Sequence, residues 1–196
     1  LYQLAKAQRL SGAAETSVAT LERLVDEYPF SRHYAEAQFR LAEVYFVDSR
    51  YADAEAAYGK VVAIGEGPYL RNAIYMNGWA GFKQTRYPQA MTSFIASLDY
   101  LLPEGTELES LPRSEQEVAA DSLRILAVIF SYLDGHQTIA ELRSEIGPRH
   151  YQTRLYRALG SCICSKNAIG TALLHCRQPP PTSPTPLPHP NSICWR

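Results

Sequence analysis

The residues with the clearest potential for chemistry lie near the C-terminal end of this sequence. Cys162, Cys164, His175 and Cys176 carry thiol and imidazole groups, which are the ligands that zinc prefers. The C-x-C spacing is a weak zinc signal, since zinc knuckles usually separate their cysteines by two to four residues, and adjacent His175 and Cys176 fit a tetrahedral site poorly. A disulfide framework is no better supported, because no folded core is predicted around these cysteines. We therefore predict no metal site and no cofactor.

The rest of the chain shows little arranged for catalysis. It contains no G-x-S-x-G motif, no phosphate-binding loop, no H-E-x-x-H motif and no glycine-rich dinucleotide turn. Its acidic residues are scattered at the spacing of solvated helix faces. His33, His136 and His150 fall near helix ends or loops, which favours surface or capping roles. The sequence therefore predicts that the protein is not an enzyme.

Composition excludes two classes of partner. The net charge of −1 gives no reason to expect binding to nucleic acid or to an anionic membrane. No apolar run approaches the roughly 18 residues of a membrane span, so direct membrane insertion is not expected. The length of 196 residues suits one domain, and the absence of an initiator methionine at Leu1 favours a fragment or processed product whose leader and anchor are unseen.

A repeat at a spacing of 36 residues organises the first hundred residues. Arg50-Tyr51 recurs as Arg86-Tyr87, and three further pairs of small or aromatic residues recur at the same spacing: Ala42 with Gly78, Ala54 with Ala90, and Tyr58 with Phe94. A weaker copy comes 37 residues earlier, with Ala5, Ser17 and Leu21 at the positions of Ala42, Ala54 and Tyr58. A fixed period of this length is typical of solenoid proteins.

Each copy reads as a pair of helices. Apolar residues recur at helical spacing on both sides of a short polar turn, "DSR" in one copy and "QTR" in the next. Small residues in both helices let the pair approach closely, and aromatic residues fill the space beside them. One such pair cannot cover its own apolar side, so neighbouring pairs are expected to stack.

These landmarks resemble the tetratricopeptide repeat (TPR), whose unit is about 34 residues. The matching positions are Leu41-Ala42, Tyr45, Tyr51, Ala54 and Tyr58, then Gly78, Phe82, Tyr87, Ala90, Phe94 and Pro103, with Leu4-Ala5, Leu21, Leu24 and Pro29 in the first copy. The resemblance covers residues 1–103, with units of about 1–33, 34–69 and 70–103. It implies an all-α, right-handed superhelical solenoid of antiparallel helix pairs, with an irregular C-terminal tail. A generic helical bundle is the alternative, although bundles rarely repeat landmarks at constant spacing.

The repeat pattern loosens after residue 103. Residues 104–117 are polar, contain Pro112 and predict a loop. Residues 118–160 predict further helical units. They form a degenerate repeat, whose second helix has Thr138 as its N-cap and Glu141 three residues on, and then the start of another repeat.

Residues 161–196 differ in composition from everything before them. They contain no acidic residue, all four cysteines and seven of the thirteen prolines. A disordered proline-rich tail is one interpretation. Our preferred hypothesis is a frameshift, because shifting the codons by one base can restore a tyrosine nine positions after Gly160, as Tyr51 lies nine after Ala42.

The TPR resemblance implies a function in binding. Stacked first helices line a concave groove in this family, and a protein or peptide ligand is the expected partner. The family's inner-groove positions correspond here to Glu36, Phe39, Glu43, Phe46, Asn72, Tyr75, Trp79, Phe82 and Lys83. Tyr75, Trp79 and Phe82 form an aromatic stripe that suits a docked helix or peptide, with Trp79 the leading ligand contact; packing of Tyr75 and Phe82 against the next unit is the alternative.

A narrower resemblance concerns the segment around "DEYPFSRHYAEAQFRLAEVYF" and "YADAEAAYGKVVAI". It is similar to TPR lipoproteins of the bacterial outer-membrane barrel-assembly machine and to envelope TPR proteins associated with Tol-Pal. The resemblance implies a non-catalytic scaffold in the periplasm or on the periplasmic face of the outer membrane. Two alternatives stay open: a regulatory repeat module of a larger enzyme, and a decayed gene fragment without present function.

Overall fold

The computed structural model describes residues 1–175, with backbone placement alone for residues 143, 145, 146 and 165–175. Within that range the chain forms nine α-helices and no strand. The helices are α1 (Tyr2–Leu10), α2 (Ala14–Glu27), α3 (Tyr34–Val47), α4 (Tyr51–Ile64), α5 (Leu70–Lys83), α6 (Tyr87–Leu101), α7 (Arg113–Tyr132), α8 (His136–Ile146) and α9 (Gln152–His175). A short 3₁₀ helix, Leu108–Ser110, precedes α7.

The first six helices form three stacked pairs. α1 packs on α2, α3 on α4 and α5 on α6, and each pair also packs on the next through α2–α3, α4–α5 and α6–α7. The first helices of the second and third pairs begin at Tyr34 and Leu70. The predicted all-α, TPR-type solenoid is therefore confirmed.

The turn inside each pair repeats in its backbone conformation. Gly12, Ser49 and Thr85 occupy the same position and have positive φ angles of 84°, 62° and 59°. The residue after each has φ −83° and ψ between 61° and 65°, and the second helix begins at the next residue. Serine and threonine rarely adopt this left-handed conformation, so the turn is imposed by the packing of the two helices.

Small residues allow the close approach that the sequence predicts. A Cβ atom built on Gly78 would lie 3.1 Å from three carbon atoms of the Phe94 ring. A Cβ on Gly81 would lie 3.3 Å from the backbone nitrogen of Ala90. Ala42, at the equivalent position to Gly78, is fully buried in one cluster with Tyr58. The small and aromatic landmarks therefore meet across the helix pair.

The C-terminal part departs from the regular arrangement. α7 packs on α6 and on α9, whereas its contact with α8 is slight. α9 is fastened to α6 because Arg149 and Tyr151, just before α9, both reach the carboxylate of Asp99, at 2.9 Å and 2.6 Å. Leu155 of α9 is buried in the same core cluster as α6 and α7. α9 therefore takes the place beside α7 that a regular repeat would give to α8.

Three predictions for this part need correction. The predicted loop 104–117 ends early, since residues 113–117 form the first turns of α7. Thr138 is not an N-cap, because α8 begins two residues earlier at His136. α9 continues through residues 161–175, where the sequence predicts an irregular tail. The rest of that tail lies outside the described residues, and it includes Cys176, one of the four residues considered as zinc ligands. The frameshift hypothesis stays a prediction.

Candidate functional site

The predicted groove residues of α3 have different environments. Phe39 is only 5% exposed, and its ring contacts those of Tyr58 and Tyr69 at centroid distances of 5.6 Å and 5.3 Å. It is therefore a core residue, which corrects its assignment to the groove surface. Phe46 is half-buried and packs edge-on against Tyr51 at 5.3 Å. Glu43 remains on the surface and forms an ion pair with Arg40 at 2.8 Å.

Glu36 joins the first helices of successive pairs. Partial burial acts to raise its pKa, but hydrogen bonds from the Tyr2 and Tyr69 hydroxyls and the charge of Arg40 outweigh burial and hold the pKa below its ordinary value. Burial and the bond to Glu36 raise the pKa of Tyr2 to about 12. Tyr2 belongs to α1, and Tyr69 directly precedes α5. Glu36 of α3 therefore lies where groups of α1 and of the residue before α5 act on its charge, at the predicted groove.

The aromatic stripe of α5 is packed against the rest of the protein. The Tyr75 hydroxyl donates a hydrogen bond of 2.6 Å to Asp121 of α7, and burial followed by this bond raises the pKa of Tyr75 to about 12. The Trp79 ring meets the rings of Tyr75, Phe82 and Phe94 edge-on, at 6.4, 5.7 and 6.0 Å. All three stripe residues lie against the core cluster that α6, α7 and α9 share.

The same aromatic contacts continue onto α7. Phe82 contacts Tyr87 at 5.9 Å, and Tyr87 stacks on Tyr132 of α7 at 5.5 Å. Tyr75 and Phe82 thus pack against the neighbouring helices, as the alternative interpretation expects. Of the remaining predicted groove residues on α5, Asn72 and Lys83 are exposed at either end of the helix.

An open cleft lies at the other end of the solenoid, between α1, α2 and α3. It has a volume of about 250 Å³, and its lining is mostly apolar. Side chains of all three helices line it: Ala5, Ala14, Val18, Leu21, Val44 and Val47. We name it the N-terminal cleft. Of the predicted inner-groove residues, Glu43 lines this cleft, but the positions carried over from the family include none of α1 or α2, so sequence reasoning missed the rest of the site.

Basic side chains surround the N-terminal cleft. Lys6 and Arg9 of α1 are exposed, and neither forms an ion pair with a side chain that the structure describes. Arg40, on the opposite wall, is already engaged by Glu43. Leu10 and Val47, on α1 and α3, are 76% and 81% exposed. The site therefore combines an apolar interior, exposed apolar residues nearby and two cations without acidic partners.

A second cleft, of about 320 Å³, lies between α2, α3 and α4. Its polar groups bind one another: the Tyr45 hydroxyl donates to Glu22 at 2.7 Å, and Arg50 contacts both Asp53 at 2.8 Å and the face of the Tyr45 ring at 4.3 Å. The buried side-chain nitrogen of Gln38 has no partner there. Because its charges are largely satisfied internally, this cleft serves mainly to join the first two pairs.

Comparison with known families agrees with the helical repeat. A family model for the tetratricopeptide repeat matches residues 1–31. That match covers α1 and α2, the pair in which the landmarks are weakest in sequence. Together with the stacked pairs it supports a TPR protein. No curated protein matches the chain.

Two further findings concern the described residues. Among the side chains that the structure describes, no three His, Cys, Asp or Glu residues are grouped so that they could hold a metal ion. None of the helices described there has the length and apolar character that crossing a membrane requires.

Proposed function

We propose that this chain is a non-catalytic scaffold that holds a segment of a partner protein against the surface of its first helices. The observation that carries the proposal is the N-terminal cleft, which is apolar inside and is lined by α1 and α3, the first helices of two successive TPR-type pairs. TPR domains typically bind protein partners, and the match of the family model includes α1 and α2. At about 250 Å³ the cleft is smaller than the roughly 300–1,000 Å³ of small-molecule pockets, which favours side chains of a peptide as its occupant.

Panning a displayed random-peptide library against the immobilised full chain tests this role. We expect a few related peptides to be enriched and to compete with one another for one site. Recovery of no peptide above the level of an uncoated surface would contradict the proposal.

The finer proposal places the scaffold in a bacterial cell envelope, in the periplasm or on the periplasmic face of the outer membrane. It is supported by the resemblance of the "YPF" turn, residues 28–30, and the repeat that follows it. The structure of that turn is compatible with a role in contacts: Phe30 is 100% exposed and Tyr28 is half exposed.

Fractionation of cells that carry the natural gene tests the location. We expect the protein to be recovered with periplasmic or outer-membrane markers. Recovery with cytosolic markers alone would contradict the envelope role and would leave the protein-binding proposal standing.

A further inference from the structure

We infer that the N-terminal cleft accepts an aromatic side chain of a partner segment whose neighbouring residues are acidic. This inference rests on the proposed function and specifies the chemistry of the ligand. It follows from a comparison of the cleft with the same position in the next two pairs.

An aromatic pair occupies the equivalent position in the second and third pairs. Phe46 contacts Tyr51 at 5.3 Å, and Phe82 contacts Tyr87 at 5.9 Å. In each case the tyrosine is the first residue of the pair's second helix, and the phenylalanine lies near the end of its first helix. These aromatic rings fill the space between the two helices on that side.

The first pair lacks both rings. Ala14 is the first residue of α2 and stands where Tyr51 and Tyr87 stand, while Arg9 stands where Phe46 and Phe82 stand. Ala14 and Arg9 both line the cleft. The cleft is therefore a space that the fold fills with aromatic rings elsewhere, and an aromatic side chain from outside matches its shape and its apolar lining.

The charges around the cleft indicate the flanking residues. Lys6 and Arg9 are exposed cations at its edge, and no acidic side chain in the described part of the chain forms an ion pair with them. Carboxylates next to the aromatic anchor would meet these cations. Such exposed pairs add specificity and association rate more than affinity, so the aromatic ring is expected to provide most of the binding.

A second copy of this chain could offer similar chemistry. Its turn presents fully exposed Phe30 and half-exposed Tyr28 directly after Asp26 and Glu27. A contact of that turn with the cleft of another copy would be head-to-tail and would produce rings or open filaments. We propose a separate partner protein as the occupant of the cleft, and the binding test distinguishes it from a second copy of this chain.

The test measures binding of fluorescent peptides to the full chain. The probe carries a central phenylalanine between aspartate and glutamate residues; one control peptide has alanine in place of phenylalanine, and a second has lysines in place of the acids. The key variant is Ala14→Tyr, which places in the first pair the residue that the next two pairs already carry. Arg9→Glu combined with Lys6→Glu tests the charges, and Lys60→Glu on exposed α4 surface is the matched control.

We expect the phenylalanine peptide to bind, the alanine peptide to bind at least about tenfold more weakly, and the lysine peptide to bind more weakly by a smaller factor. Ala14→Tyr should weaken binding of the phenylalanine peptide at least about tenfold and the double charge reversal should weaken it by less, with Lys60→Glu unchanged. Equal binding by Ala14→Tyr and the original chain, or no binding of the phenylalanine peptide up to about 1 mM, would overturn the inference.

Two additional measurements separate the possible failures. If the peptide library enriches ligands that bind Ala14→Tyr equally well, the protein-binding role stands and the cleft inference fails. If the chain alone associates with rising concentration in analytical ultracentrifugation, and Ala14→Tyr or Phe30→Ser abolishes that association, the occupant is a second copy and the separate partner is rejected.

Discussion

The first and third helix pairs share one backbone frame but use it in opposite ways. In the third pair the equivalent positions carry Trp79, Phe82 and Tyr87, and these rings pack against one another and against the core shared with α7. In the first pair the same positions carry Lys6, Arg9 and Ala14, and a cleft of about 250 Å³ remains. The difference shows that the repeat fixes helix geometry, while a few positions decide whether the space beside the first helix is closed or open to a ligand.

The largest loss of stability in the packed aromatic cluster of the third pair is expected when Phe94 is removed. This ring is fully buried between those of Tyr75 and Trp79. We expect Phe94→Ala to lower the free energy of unfolding by about 3–5 kcal/mol, because the site loses its apolar contacts and keeps a cavity. Urea denaturation measures this. Phe30→Ala is the matched control, since Phe30 is fully exposed and its loss should change stability by less than about 0.5 kcal/mol.

Two substitutions at equivalent positions of the first and third pairs test the difference between those pairs directly. Trp79→Ala should lower the free energy of unfolding by about 2–3 kcal/mol, since the half-buried indole contacts three rings. Lys6→Ala, at the same position of the first pair, should change it by less than about 0.5 kcal/mol. Unfolding is followed by circular dichroism. A Trp79→Ala protein as stable as the original would place Trp79 back on an exposed ligand surface, as the sequence alone indicates.

One substitution made at two tyrosines should act in opposite directions. Tyr75→Phe removes the hydrogen bond to Asp121 and is expected to cost about 1 kcal/mol. Tyr58 is fully buried, and its hydroxyl has no partner within the described residues. Tyr58→Phe should therefore stabilise the protein by about 1 kcal/mol, which agrees with Phe94 at the equivalent position of the third pair. Destabilisation by Tyr58→Phe would show that its hydroxyl is satisfied in solution.

Acidification should weaken the link that Glu36 makes between units. Because the pKa of Glu36 is held below its ordinary value of 4.5, its contribution is complete above that pH and is lost as pH falls through the lowered pKa. Comparison of Glu36→Gln with the original chain isolates this effect. The difference in unfolding free energy between the two proteins should be under about 1 kcal/mol, because Glu36 is partly exposed. It should be present at neutral pH and should disappear as the pH falls below 4.5. If the difference in unfolding free energy does not change with pH, packing rather than the charge of Glu36 accounts for it.

The helix pairs were predictable because their signal is local and repeated. Gly78 and Phe94, like Ala42 and Tyr58, mark positions where two adjacent helices touch, so the contact itself imposes the residue types. The start of α7 was missed for a different reason. The segment after Pro112 is polar, which favours a loop from sequence, but Arg, Glu and Gln are good helix formers, and an exposed first turn needs no apolar residues.

The environment of the groove residues was less predictable. Helical spacing places Tyr75, Trp79 and Phe82 on one face but does not show that α7 covers it through Asp121. Phe39 lies at the same position as Tyr75 in the preceding unit and packs against Tyr69, the residue directly before α5. The cleft had a usable signal in the sequence, because the spacing of 37 residues between the first two copies places Ala14 at the position of Tyr51. The sequence does not show that this substitution leaves an open space.

The most direct test of the account is to exchange the residues that open and close the space. Ala14→Tyr in the first pair and Tyr87→Ala in the third pair change the same structural position. Equilibrium unfolding of both variants measures how much an aromatic ring at that position contributes to the free energy of unfolding. We expect Ala14→Tyr to be at least as stable as the original chain, because it fills an existing cleft, and Tyr87→Ala to lose about 2 kcal/mol by opening a new one. If Ala14→Tyr is destabilised as much as Tyr87→Ala, the two pairs do not share one frame and the central comparison is wrong.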